Sequence, residues 1–519
     1  MSSLKDSSDI TIHAFPPNDP SNPYNWSFSR KCLIIALGTL VVLNSTLASS
    51  LPSLASPQLA RHFNVTDDLQ LVLPNSVYLI GYVVGPVLWA PLSENYGRRW
   101  IIISTFWAFT GAMAGCAGAN SWGMFVVMRF LSGLFGATPI SLTGGLFADV
   151  LDDPMWRGRS IAWFMVVASA GPCFGPVPSG LLAEYSWRWP FLFGLILAPT
   201  SAFPLSFLPE TFGPAILMSQ AKHLRRQDPD ANIYAPLELK HTTPRQLVTQ
   251  VLGRPIRMGI TEPIVSAVCL YLSLIYGVIF MLFQAYGVIF PPIYNFTQGQ
   301  TGLAFLPMVL GTLLALPLNF SYDTYIARAK SRSAPWSHLQ ESQRLPLALL
   351  GAPLIPLSLF WTGWTARASI HYIVPALGGL PFGLGFTLVF IGLINYIVDA
   401  YGVLSASALG ATSMARSTCG VVLPFAARRM YRDLGVGWAC SLLGFLSLVM
   451  CGIPVGFLRW GSLLRSRSPV CRELEGERRR GGEVGRGNVV VVSGGGDGGV
   501  AVEEKGSEQR EEDVQREKG

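Results

Sequence analysis

Gly171-Pro172-Cys173-Phe174-Gly175-Pro176-Val177-Pro178-Ser179-Gly180 places three prolines and three glycines in ten residues, inside an apolar run. In a soluble helix this composition would break the element, because proline lacks an N–H and glycine adds backbone freedom. Within a bilayer such residues are tolerated, since neighbouring helices re-satisfy the freed backbone groups. Small residues also let another helix approach closely. The stretch therefore predicts a kinked, closely packed membrane helix, and the rest of the chain can be placed by what packs on it.

The 519 residues are 50% hydrophobic and only 13% charged, against about a quarter charged in soluble domains. Apolar runs of about 20 residues recur, each long enough to cross a hydrocarbon core. The fold class expected is an all-α polytopic membrane protein with twelve transmembrane helices, six on either side of a polar central loop. The spans fall at 32–54, 71–92, 100–119, 122–146, 160–183 and 189–209, then at 263–287, 301–321, 347–366, 370–398, 403–427 and 437–459. This divides the chain into a polar leader (1–31), a first bundle (32–209), a central loop (210–262), a second bundle (263–464) and a charged, Gly-rich tail (465–519). The central loop reads as a linker with a short surface helix over 215–227. The tail lacks a core-forming pattern and reads as disordered.

Lys and Arg set the orientation. With the N-terminus cytoplasmic, the inner loops carry Arg98, Arg99, Arg157, Arg159, Arg328, Lys330, Arg332 and Arg344, and the central loop adds seven more basic residues. The outer loops carry Arg61, Arg188 and Arg367. Arg428, Arg429 and Arg432 run against the pattern, in the last outer loop. Both termini are thus expected to be cytoplasmic, in a multi-pass membrane protein. The net charge of +7 is a topology signal and not a nucleic-acid footprint. Two sequons with acceptors Asn64 and Asn295 fall in outer loops, whereas Asn44-Ser45-Thr46 lies inside a span. The eight cysteines include no CxxC pair and read as packing residues. The six histidines are scattered, and neither a metal site nor a cofactor is expected.

The loop Ser93-Glu94-Asn95-Tyr96-Gly97-Arg98-Arg99 sets a carboxylate, a glycine and two arginines at a membrane face. Such a group can form a charge relay between helices, or Glu94 can face a helix N-terminus. The plain alternative is a positive-inside loop with a turn glycine. Asp149 at the end of the fourth span, with Arg157 or Arg159 nearby, completes a candidate inner gate of Glu94, Gly97, Arg98, Arg99, Asp149 and Arg157. Arg129 lies about seven residues into the fourth span, on the order of 10 Å from the surface at helical rise. A charge at that depth is a functional candidate by default, with snorkelling as the alternative. Arg416, deep in the eleventh span, merits the same reading.

On the seventh span Tyr276, Phe280, Phe283 and Gln284 recur at i, i+4, i+7 and i+8, on one helix face. With Asn44, Tyr78 and Asn395 they form a candidate cavity wall, suited to amphipathic or cationic organic molecules. The alternative for each aromatic is packing against helices or lipid. The acids Glu94, Asp149, Glu184, Glu262, Asp323 and Asp399 all fall near span ends, so no carboxylate is central.

The Pro91-Leu92-Ser93-Glu94-Asn95-Tyr96-Gly97-Arg98-Arg99 loop resembles the signature between the second and third spans of the major facilitator superfamily. It is most similar to that of fungal twelve-span drug:proton antiporters. Asn25-Trp26-Ser27, Leu208-Pro209-Glu210-Thr211-Phe212 and Gly302-Leu303-Ala304-Phe305-Leu306-Pro307 resemble the same branch. The opening stretch resembles its antiporter motif, through Gly171, Pro172, Gly175, Pro176 and Gly180. The resemblance covers about residues 19 to 465. It implies two pseudo-symmetric six-helix bundles around a central cavity, alternating access, and proton-driven efflux of drug-like, polyamine or secondary-metabolite molecules by a monomer in the plasma membrane, with Arg129 and by extension Arg416 linked to proton coupling. The chain departs from the pattern at Asn95, at Ser179 in place of glycine, and at Gln284, where an acid is common. The missing acid keeps open a facilitator or importer of another solute. A membrane receptor or enzyme is disfavoured by the six-plus-six layout and by the lack of a catalytic cluster.

Overall fold

A computed structural model describes residues 10–11, 15–16, 19–67, 69–227, 233–239, 253–334, 340–468, 470, 472, 489–494 and 500–505. Among the described residues, ten helical stretches are long and apolar enough to cross a membrane, and Trp189–Leu205 is a shorter apolar helix. The last stretch is 62 residues long and holds two spans. Gly435 divides them, with φ 72 and ψ 166, a backbone that L side chains rarely adopt. Twelve spans result. The first half comprises α1 (Phe28–Ser50), α2 (Leu73–Tyr96), α3 (Arg98–Ala117), α4 (Trp122–Val150), α5 (Pro154–Phe174, continued by Pro176–Ala183) and α6 (Trp189–Leu205). The second comprises α7 (Pro263–Tyr294), α8 (Leu306–Ser331, preceded by Gln298–Leu303), α9 (Gln340–Gly351 with Leu354–Thr365), α10 (Gly379–Tyr401, preceded by Ile373–Leu377), α11 (405–434) and α12 (436–467).

Side-chain chemistry fixes the helix ends. Ser121 and Asp153 accept from backbone N–H groups in the first turns of α4 and α5. Thr297 and Gln300 form a capping box ahead of α8. Asn64 and Asn295 end helices in the left-handed conformation. Arg428, Arg429 and Arg432 lie on α11, which continues to Gly435. No proline or glycine interrupts residues 425–434, so the helix outlasts its expected end, and Arg429 sits 3.5 Å from Asp433 one turn on.

Helix contact here depends on small residues, because lipid tails leave little hydrophobic drive between apolar helices. A Cβ on Gly133 of α4 would fall 2.0 Å from the Tyr78 carbonyl oxygen of α2. A Cβ on Gly383 of α10 would fall 2.0 Å from the Met308 carbonyl of α8. The same crossing is thus built twice, six helices apart, which is the expected pseudo-symmetry. Two buried clusters follow the two halves, and Cys173 and Val177 of the quoted stretch belong to the second-half cluster.

The central segment carries the short helix expected over 215–227 and further regular structure. Gly213–Gln227 and Arg254–Thr261 are helical, and Ile233–Tyr234 pairs in parallel with Ile10–Thr11 of the leader. Residues 240–252 and most of the tail lie outside the described residues; within the tail, Val489–Gly494 pairs with Val500–Lys505.

Candidate functional site

Arg129 is fully buried and its fork is filled by backbone. Nε donates to the Pro74 carbonyl at 2.8 Å, Nη1 to Ala48 at 3.1 Å and Nη2 to Ser49 at 3.4 Å. The sequence explains why these oxygens are free. The helical donor for the Ala48 carbonyl would be residue 52, which is proline. The Ser53 N–H turns to Ser50 instead of Ser49. The guanidinium thus caps the C-terminus of α1, where the peptide dipoles favour a cation. The Tyr78 ring lies 4.5 Å away. No carboxylate pairs with Arg129 among the described residues.

The quoted stretch follows the same logic. Gly175 keeps helical dihedrals (φ −54, ψ −37), so the run continues as helix where a kink was expected. What changes is the hydrogen bonding: Pro176 leaves the Pro172 carbonyl without its helical donor, and Ser50 Oγ donates to it at 2.8 Å. Ser179 Oγ donates to the Leu51 carbonyl at 2.5 Å and accepts from the Leu54 N–H at 3.3 Å. Cβ atoms on Gly171 and Gly175 would strike Thr46 and Ser50 of α1 at 2.0 Å. Gly180 faces the other half, 2.3 Å from the Gln298 carbonyl by the same measure. The stretch is therefore bonded mainly to α1 and meets the second half at its final turn. Glu184 extends that meeting by accepting from the Gly299 N–H at 2.8 Å. Its carboxyl is held below the usual 4.5 by the Thr297 hydroxyl and then the Gly299 N–H.

At the opposite face, the one carrying the 210–262 segment, Arg98 Nε lies 2.5 Å from Asp149 Oδ2. Glu210 accepts from the backbone N–H groups of Arg98, Arg99, Thr211 and Phe212 at 2.9 to 3.1 Å. Gly97 makes room for it: with φ 91, its added Cβ would sit 2.4 Å from Glu210 Oε2. A carboxylate does sit on a helix N-terminus, as the physics suggested, but it is Glu210 on α3. Glu94 is exposed and stands apart from this cluster, because it lies on the outward side of the last turn of α2. Arg99 joins through its backbone. Arg157 is half-buried and makes no ion pair among the described residues. The second half repeats the arrangement: Arg344 at the start of α9 pairs with Asp399 at the end of α10 at 2.7 Å. There the α9–α12 link has reversed polarity, Glu341 to Arg465 at 2.6 Å.

The aromatic face of α7 is continuous, with ring centroids 5.2 Å apart from Tyr276 to Phe280 and from Phe280 to Phe283. Arg416 lies 5.1 Å from both the Tyr276 and the Phe390 rings, and donates one long bond, 3.5 Å, to Ser413. Toward the Gly180 face, Phe283 and Gln284 line a cavity of about 220 Å³ with Ser53, Ser56, Thr301 and Arg428. The Gln284 amide nitrogen is buried without a partner. Asn44 does not reach this space: it is buried against α6, donating to Ser201 Oγ and to the Leu197 carbonyl at 3.3 Å. The Tyr78 hydroxyl is likewise committed, donating to the Ser45 carbonyl at 2.6 Å. Asn395 is half-buried on α10, and Asn64 and Asn295 are exposed at helix ends.

Sequence reasoning missed Glu210 as a site residue, and Arg344, Glu341 and Arg465 as the second-half counterparts. It also missed Pro52, whose position four residues after Ala48 marks the freed carbonyl.

Two six-helix halves with repeated crossings and paired charge clusters define a polytopic secondary-transporter architecture. The chain belongs to the Major Facilitator Superfamily, whose family model matches residues 37–424. It is 36% identical over 468 residues to the efflux pump FUB11 of Gibberella moniliformis, covering 88% of this chain and 77% of that one. To the major facilitator superfamily multidrug transporter mdrA of Aspergillus fumigatus it is 34% identical over 460 residues, covering 87% and 74%. Among solved structures it is similar to the xylose transporter XylE from E. coli in a partially occluded inward-open conformation. That match has a TM-score of 0.58 at 17% identity, over 83% of this chain and 98% of that one. The protein is a secondary transporter and not an enzyme.

Proposed function

We propose that the protein is a proton-coupled exporter of small organic molecules, working as a monomer in the plasma membrane by alternating access. The leader, the 210–262 segment and the tail are then cytoplasmic, and Asn64 and Asn295 are extracellular glycosylation acceptors. The observation that carries this reading is the fit of the Gly171 to Gly180 stretch. Gly171 and Gly175 leave no room for a Cβ against α1 and Gly180 leaves none against Gln298, which supports closure of the two halves at the face where they meet. The names of the fungal relatives, an efflux pump and a multidrug transporter, support the outward direction. Arg129 contributes to coupling by holding α1 to α2 and α4, while Arg98–Asp149 and Arg344–Asp399 latch the cytoplasmic ends of each half.

A second reading, an uncoupled facilitator, is favoured by one observation: the seventh span carries Gln284 and no carboxylate. Uptake of a fluorescent substrate into inside-out vesicles, with and without an imposed pH gradient, separates the two. Gradient-dependent accumulation supports export by exchange for protons. Equilibration that ignores the gradient supports the facilitator.

A further inference from the structure

Six acids at or near the ends of the spans are committed to partners. Asp149 pairs with Arg98, Asp399 with Arg344 and Glu341 with Arg465. Glu262 accepts from Tyr401 and Ser468, Glu184 from Gly299, and Asp323 from Asn319. The interior of the second half, by contrast, holds cation and donors. Arg416 is 9% exposed, lies between two aromatic rings, and forms no ion pair among the described residues. Two turns along α7 from Tyr276, the Gln284 amide nitrogen is 94% buried by residue and has no acceptor. Arg428 lines the cavity beyond it. Burying a guanidinium without a partner anion is costly in a low-dielectric site. Rings on both sides offset part of that cost, and an incoming anion would offset the rest while gaining charge-assisted bonds.

We propose that the transported substrate is an organic anion with a flat apolar body, a carboxylate or sulfonate whose charge is met by Arg416 between Tyr276 and Phe390. Its body lies along the Tyr276, Phe280 and Phe283 rings, and its acid group passes to Gln284 and Arg428 on the way out. This replaces the cationic class that the aromatic wall alone suggests, because the wall surrounds a cation of its own. The inference rests on the exporter reading for the direction of movement but not for the choice of charge.

The test compares two xanthene dyes that share a body and differ in charge, carboxyfluorescein and rhodamine 6G, binding to the full chain in nanodiscs by fluorescence anisotropy. Carboxyfluorescein is expected to bind more tightly. Arg416→Gln is expected to weaken it about tenfold or more, the loss of a charge-assisted contact. Arg416→Lys should retain most of the affinity. Tighter binding of rhodamine 6G, no binding of carboxyfluorescein, or an Arg416→Gln protein with unchanged anion affinity overturns the proposal. Should Arg416→Gln fail to fold, the preference of the unaltered protein between the two dyes still decides. Anion binding without vesicle transport would contradict the exporter reading and leave the charge assignment standing. Transport of rhodamine 6G alone would do the reverse.

Discussion

The Ala48 carbonyl accepts from Arg129 Nη1 at 3.1 Å because Pro52 denies it a helical donor. A proline just past α1 and an arginine inside α4 are thus one device, joining three helices with no carboxylate partner among the described residues.

Removing the guanidinium leaves the Ala48 and Ser49 carbonyls unmet in a buried site. Arg129→Ala should therefore destabilise the protein by about 3 kcal/mol or more, at 1–3 kcal/mol per unsatisfied group. Arg129→Lys should fall between, since an ammonium keeps the charge but not the planar fork. Denaturation in detergent measures both. A stable Arg129→Ala protein would remove Arg129 from its proposed place.

Glu210 and not Glu94 caps α3. In Glu210→Ala, amide hydrogen exchange at Arg98, Arg99, Thr211 and Phe212 should accelerate, since all four donate to that carboxylate. In Glu94→Ala the same amides should keep the exchange rates of the unaltered protein. Faster exchange in Glu94→Ala alone would reverse the assignment.

Closure between the halves depends on glycine at the end of the α5 stretch. Gly180→Ala should push the Gln298 segment away, because the added Cβ would sit 2.3 Å from its carbonyl oxygen. Spin labels at the exposed positions Tyr185 and Leu303 should then report longer distances. Gly111→Ala, with open space around its Cβ, serves as the control. Unchanged distances in Gly180→Ala would contradict the close packing.

The Glu184 link to Gly299 carries a pH dependence whose sign is fixed. The Thr297 hydroxyl and the Gly299 N–H hold the carboxyl below its ordinary 4.5. Its contribution is therefore present above 4.5 and is lost only as pH falls through the lower value. The Tyr185–Leu303 distance should stay constant from neutral pH down to that region and lengthen below it. Glu184→Gln should flatten the response. Lengthening that sets in well above 4.5 would contradict the assignment.

Spans and their pairing into halves were legible because each is a long apolar run bounded by charge or turn formers. The last loop was not, since residues 425–434 contain no breaker and a polar helix extending beyond the bilayer reads like a loop. Arg98 and Asp149 were legible as partners from their shared membrane face. Glu210 was not, because it follows α6 in sequence and reaches α3 only through the fold. Asn44 misled for the converse reason: a polar residue in mid-span is as well satisfied by a neighbouring helix, here Ser201, as by a cavity.

Proton-coupled export is tested most directly by transport in sealed inside-out vesicles. Carboxyfluorescein should accumulate above its external concentration when the lumen is acidic, and accumulation should collapse when a protonophore dissipates the gradient. Accumulation that is indifferent to the gradient, or carboxyfluorescein moving only down its own concentration difference, would contradict the account.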